Sequence, residues 1–216
     1  MAIIRKLKYK LFDMKRAAWL KKLRKRLKNH DFTIISHKCI AGVIYHDLGL
    51  RFDSPTINLR FKNCTEYPVF CKHIQVYTDC PMEDISAEEN QPFPCARLVP
   101  AGLPPITLYM QHYKSFDDAK AAWQKRCKRI HPNNMFFIYE FYNDLHTMDA
   151  LQAFDALPYR NKVALVHSPV EGIECAKYVS CYKNGAQAGA ILEFTGNTGK
   201  RNLDEFDYVE FLNKGI

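Results

Sequence analysis

The chain has 216 residues and a formal net charge of +8, from 31 Lys and Arg against 23 Asp and Glu. Its 14 Phe and 12 Tyr supply a sizeable core, which excludes a disordered chain and removes the need for disulfide or metal staples. Residues 1–30 hold 12 of the basic residues and one acid, Asp13, leaving 19 basic against 22 acidic residues elsewhere; such a body argues against a nucleic-acid-binding domain.

Residues 1–30 read as a basic amphipathic helical arm, set before a single α/β domain over 31–216. Ile4, Leu7, Leu11 and Met14 form one stripe, and Trp19, Leu23 and Leu27 form another, well over 90° around the helix. The helix therefore breaks near Arg16–Ala18, or its two halves pack against different things. Lys and Arg on the remaining faces suit an anionic membrane surface, with Trp19 at the headgroup boundary. No run approaches 18 apolar residues and no signal-peptide core is present. The expected location is cytoplasmic, peripheral on the inner face of the cell membrane.

Phe32–Ile35 is an apolar, β-branched run suited to a buried strand. Ser36-His37-Lys38-Cys39 interrupts it, and a helix resumes over Ile40–Leu48 with Gly49 placed to stop it. In an α/β protein such a turn lies at the carboxyl end of a strand, where ligands bind, and a helix start favours anions. After Asp53-Ser54-Pro55-Thr56 a short strand covers Ile57–Phe61. Residues 66–79 read as one helix and 81–94 as an irregular acidic loop, followed by strands at Cys95–Val99 and Ile106–His112.

Ser115 is an N-cap for the helix that follows, with Phe116, Ala119, Trp123, Cys127 and Ile130 as its buried face. Met135–Tyr139 is a fully apolar strand ending at Glu140. Thr147 caps a helix through Leu157 with Met148, Leu151, Phe154 and Leu157 inward, and Lys162–Val166 is a strand ending at His167. Tyr178–Tyr182 reads as an edge strand, Gly196–Arg201 as a basic turn, and the chain closes on a short helix. Strands alternating with helices predict a three-layer α/β/α fold with a mostly parallel central sheet. Four strand ends then deliver Ser36/His37/Cys39, His112, Glu140 and His167 toward one edge.

The eight cysteines form no CxxC pair and no zinc-finger spacing, so free thiols and no metal site are expected. There is no DxD metal–nucleotide sequence and no GxGxxG fingerprint, and no cofactor is assigned.

The segments FTIISHKCIAG, YHDLGL, DSPTINLRF, QHYKSFDDAKAAWQKRCKRI, FDALPYRNKVALVHS and TGKRNLDEFDYVEFLN, in that order over about residues 31–213, resemble a family of uncharacterised bacterial proteins. Its members are usually labelled exopolysaccharide or capsule biosynthesis proteins. That family usually carries an Asn-Asn-Cys-Trp-Gly-Gly-like turn, of which Cys39 and Gly42 remain here. The resemblance implies an α/β/α fold and a link to surface-polysaccharide assembly, and within that setting the expected function is a transferase acting on a nucleotide-sugar or lipid-linked glycan precursor. A non-enzymatic, membrane-associated scaffold of the same machinery is the alternative. His112, His167, Cys39 and Glu140 are the candidate catalytic groups. Ser36, Lys38, Ser54, Thr56, Arg60, Tyr113, Lys200 and Arg201 are the candidate phosphate or substrate contacts.

Overall fold

The computed structural model of the protein describes residues 2–141, 147–180 and 190–214, with side chains from residue 10 onward. A long helix α1 (Ala2–Arg26) leads into β1 (Thr33–Ser36) and α2 (Ile40–Leu48). Then come β2 (Arg60–Phe61), α3 (Glu66–Lys72), α4 (Ile74–Asp79), β3 (Met82–Asp84), α5 (Ser86–Glu89), β4 (Cys95–Leu98) and β5 (Ile106–Tyr109). The chain continues through α6 (Phe116–Cys127), β6 (Met135–Phe141), α7 (Met148–Asp155), β7 (Lys162–Val166) and β8 (Ala176–Tyr178), and ends on α8 (Tyr208–Asn213).

The fold is α/β, and its strands divide between two sheets. One is parallel throughout, in the order β1-β6-β7-β8, with Ser36 opposite Ile138 and Phe141 opposite Val166. The other is antiparallel, in the order β2-β5-β4-β3. The expected parallel sheet is present, and a second, antiparallel sheet accompanies it. The reason lies between β4 and β5, where residues 99–105 hold no helix. A connection that short reverses the chain and pairs its strands antiparallel. The acidic stretch 81–94 likewise contains an edge strand, β3, which its charge had disguised as loop.

Alternation along β6 divides the core. Phe136 and Ile138 join Ile34 and Leu165 against α1, α2 and α8. Phe137, Tyr139 and Phe141 join Ile35 and Val166 against α3 and α7, and beyond them the antiparallel sheet contributes Phe61, Leu98 and Leu108. Several local signals hold in detail. Ser115 Oγ accepts from Asp118 N–H at 3.2 Å and Thr147 Oγ1 from Ala150 N–H at 3.3 Å. Gly49 stops α2 with φ at 71°, the left-handed C-cap that glycine adopts without strain. Two differ: the helix expected over 66–79 breaks at His73 (φ −123°, ψ 33°), and Met148 is exposed rather than inward. Tyr142–Asp144 and Cys181–Tyr182, part of the expected site rim and edge strand, lie outside the described residues.

The arm is one continuous helix, and its second half is part of the body. Leu23 and Leu27 are core residues, and Asn29 donates to Leu212 O at 2.8 Å. Arg16 is buried and pairs with Asp47 of α2 and with Asp204, whose side chains are also buried. Burial opposes the Arg16 charge, but the two carboxylates more than offset it and hold its pKa above the ordinary value. Gly199 (φ +77°) seals this layer, because a Cβ there would come within 2.4 Å of the Lys15 carbonyl carbon. Trp19 faces the body as well, half-buried, with Lys200 Nζ 4.3 Å above its ring, so it is not the headgroup anchor its position on a basic helix suggested.

Arg16→Met removes the charge but keeps most of the bulk, leaving two buried carboxylates short of their main partner. The expected loss is about 3–5 kcal/mol of folding stability, read as a lowered denaturant midpoint at unchanged slope.

Candidate functional site

Strand β1 ends at Ser36, and this hydroxyl builds the turn that follows. Ser36 Oγ donates to Lys38 O at 2.6 Å and accepts from Ala41 N–H at 3.2 Å. It therefore caps the start of α2 from outside the helix, while the formal N-cap, Cys39, makes no side-chain cap bond. Ser36 N–H in turn donates to Thr56 Oγ1 at 3.0 Å, and Ser54 Oγ accepts from Thr56 N–H at 3.2 Å. Ser36, Ser54 and Thr56 are all buried. The structure places these three beneath the turn as its support, and not on a surface a substrate touches.

Above that support the reactive groups gather. Cys39 Sγ lies 3.4 Å from Nε2 of His112, which follows β5 in the other sheet and is exposed. Lys38 and Cys39 are partly buried, and Glu140, near the end of β6, is 4 % exposed. Burial, reinforced by the Glu140 charge and opposed by Lys38, raises the Cys39 thiol pKa. Burial also lowers the Lys38 ammonium pKa, with Glu140 opposing and Arg60 reinforcing it. A helix start and a neighbouring lysine each lower a thiol pKa, but at Cys39 loss of solvent and a neighbouring carboxylate outweigh them. Arg60, on β2, spreads its guanidinium over the Tyr109 ring at 4.4 Å from its centroid.

So the fold brings together Lys38, Cys39, Arg60, His112 and Glu140. It leaves His167 just past β7, two strands from β1, about 10 Å away at normal strand spacing. There its ring stacks on Phe141 at 6.2 Å. Tyr113 turns back toward the loop before β2, where its hydroxyl accepts from Arg126. Lys200 and Arg201 sit elsewhere. Lys200 covers Trp19, and Arg201 Nη1 is 3.8 Å from Asp47 Oδ1 near the carboxyl end of α2. Eight residues of helix, about 12 Å, separate that end from Cys39. A surface hollow of about 210 Å³, lined in part by Ile74, Asp79, Cys127 and Met135, lies at the start of β6, opposite to the Glu140 end. Among the described residues no group of three or more His, Cys, Asp and Glu is arranged to hold a metal ion. The described cysteines are all free.

A model of a family described as a domain of unknown function (DUF1919) matches residues 11–213. The chain belongs to this family. An uncharacterized protein of Haemophilus influenzae is 31% identical over 191 residues, 88% of either chain. For this DUF1919 member, the match begins inside α1, in agreement with the packing of the helix from Arg16 onward on the body. No described helix is long and apolar enough to cross a membrane.

One strand-end group does not reach the open side of the site. His37 is 3 % exposed and enclosed by Phe61, Tyr67 and Tyr139 at 5.4–5.9 Å between ring centroids. Strand parity, carried one residue past β1, is the signal that finds this: Thr33, Ile35 and His37 fall on one face, and Ile35 lies in the core beside the same aromatics.

The electrostatics fix the direction of two substitutions. Glu140→Gln removes a negative charge that raises the Cys39 pKa, and Lys38→Met removes a positive charge that lowers it. In a pH series of iodoacetamide alkylation at Cys39, followed by peptide mass spectrometry, the midpoint should fall for Glu140→Gln and rise for Lys38→Met. Equal midpoints in the two variants would remove Glu140 and Lys38 from the thiol's surroundings.

Proposed function

We propose that this protein is a transferase of surface-polysaccharide biosynthesis that passes an acyl group to a glycan precursor through Cys39. The chemistry rests on one observation, the 3.4 Å contact between Cys39 Sγ and His112 Nε2, made by residues from two different sheets at a helix start. The polysaccharide setting rests on the resemblance of residues 31–213 to proteins of that description.

A thiol and an imidazole in contact are the parts of a nucleophilic mechanism. The raised thiol pKa means that Cys39 rests as the neutral thiol. His112 Nε2 takes the Sγ proton as sulfur attacks the donor carbonyl. The carbon–leaving-group bond breaks, and the leaving group departs with that proton, leaving a thioester on Cys39. A precursor hydroxyl then attacks the thioester while His112 takes its proton and returns it to the thiolate. Lys38 and Arg60, both cations beside the pair, suit an anionic donor or acceptor such as a pyrophosphate. Glu140 favours the charged form of Lys38 and so opposes the burial that lowers its pKa.

Intact-mass analysis of the protein incubated with acyl-CoA donors tests this directly. The expected product is an acyl adduct, released by hydroxylamine, absent in Cys39→Ala and formed about 10²- to 10⁴-fold more slowly in His112→Ala. If no donor labels the wild type, and both variants support unchanged glycan output in cells, the role is that of a binding or scaffold protein.

A further inference from the structure

From residue 10 onward, α1 turns one face away from the body, and that face carries a distinct chemistry. Arg16, Leu23 and Leu27 mark the side that the body covers. At about 100° per residue, Leu11 and Met14 project about 140° and 160° away from Arg16. They are 51 % and 63 % exposed. Lys10, Lys21, Lys22 and Lys25 fall at least about 120° from Arg16 and are exposed as well. Ala17 and Ala18 also lie on this outer half, and Lys15, at its edge, donates to Asn197 O at 2.7 Å, so among the described residues it holds only lysines and apolar side chains.

Charge divides the same way. Asp13, the one acid of residues 1–30, lies about 60° from Arg16, on the inner half. On that side Arg16 is matched by Asp47 and Asp204, and Arg26 pairs with Asp207. Among the described residues, the ion pairs of α1 are those of Arg16 and Arg26, and none involves these outer lysines. We infer that the outer face of α1 docks the protein on an anionic lipid bilayer. Leu11 and Met14 enter the headgroup boundary, while the lysines keep their stems on the apolar stripe and their ammonium groups at the lipid phosphates. Lysine is depleted at the cores of protein–protein interfaces, which disfavours a protein partner here. The outer half also offers no aromatic ring for base stacking, which disfavours RNA. The helix lies on the membrane and does not span it, since no described helix is long and apolar enough to cross. This face involves none of the groups at Cys39, so it stands or falls separately from the acyl-transfer chemistry.

Co-sedimentation of the full-length chain with vesicles tests the inference. Mixed phosphatidylglycerol–phosphatidylcholine vesicles should pellet the protein at low salt, and pure phosphatidylcholine vesicles should not. Neutralising one outer lysine should weaken binding about fivefold, the equivalent of ~1 kcal/mol near an anionic surface. The double variant Leu11→Glu/Met14→Glu should lose at least about tenfold in partitioning while keeping the wild-type melting temperature, since both side chains are exposed. Absence of wild-type binding to the anionic vesicles overturns the inference, and so does binding that survives the double substitution. A wild-type dimer that the same variant converts to monomer, without vesicle binding, overturns it and assigns the face to a second copy of the chain.

Discussion

The parallel pairing of β1 with β6 is the constraint on which the rest depends. Thr33 lies beside Met135, so roughly a hundred residues must leave one strand and return alongside it. All of the antiparallel sheet is contained in that excursion. The chain leaves through the Ser36 turn, builds β2 to β5, and comes back by α6. His112 is reached on the way back, just after β5, and it lands beside the turn where the excursion began. The two sheets meet through a shared core on one face of the parallel sheet, which fixes their spacing at close-packed contact. The Cys39–His112 contact follows from a topology, and a one-residue slip of β1 against β6 would move Glu140 away from Lys38 and reverse the face His37 occupies.

Beneath the contact the supports are neutral and buried, and above it the groups are charged. Three hydroxyls, Ser36, Ser54 and Thr56, satisfy the polar backbone where β1 ends, which a buried strand end requires. Lys38, Arg60 and Glu140 then share a poorly solvated space in which Glu140 and Arg60 act on the protonation of Lys38, and Glu140 and Lys38 on that of Cys39. At the opposite end of α2 a second set, Arg16, Asp47, Asp204 and Arg201, ties the first helix to the closing segment. The two sets use the same residue types for different ends: one is sealed by Gly199 and α1, and the other opens at an exposed histidine.

Much of the local structure was legible in order along the chain. Thr147 and Ser115 each precede an apolar period of 3.6, and an N-cap hydroxyl acts over three residues, so nothing distant is needed to recognise it. The run Lys162–Val166 is a strand by the same short-range reasoning. What failed needed distance. Strands 95–99 and 106–112 were recognised as strands, but their partners were not. Lys200 and Arg201 read as phosphate contacts because a basic, glycine-rich turn suits an anion, yet Trp19 and Asp47 already occupy them. Both partners come from more than 150 residues earlier in the chain, and no local pattern records them.

By itself, the sequence determined the identity and order of most elements, the caps of α6 and α7, the stop of α2 at Gly49, and the presence of two stripes on the first helix. These depend on interactions within about one helical turn or one strand repeat. Only the tertiary structure decided which stripe the body covers, how the strands divide between two sheets, and that Cys39 meets His112 while His167 does not. Those outcomes depend on contacts between residues far apart in the chain, whose free energy comes from burial and pairing that neither segment possesses alone.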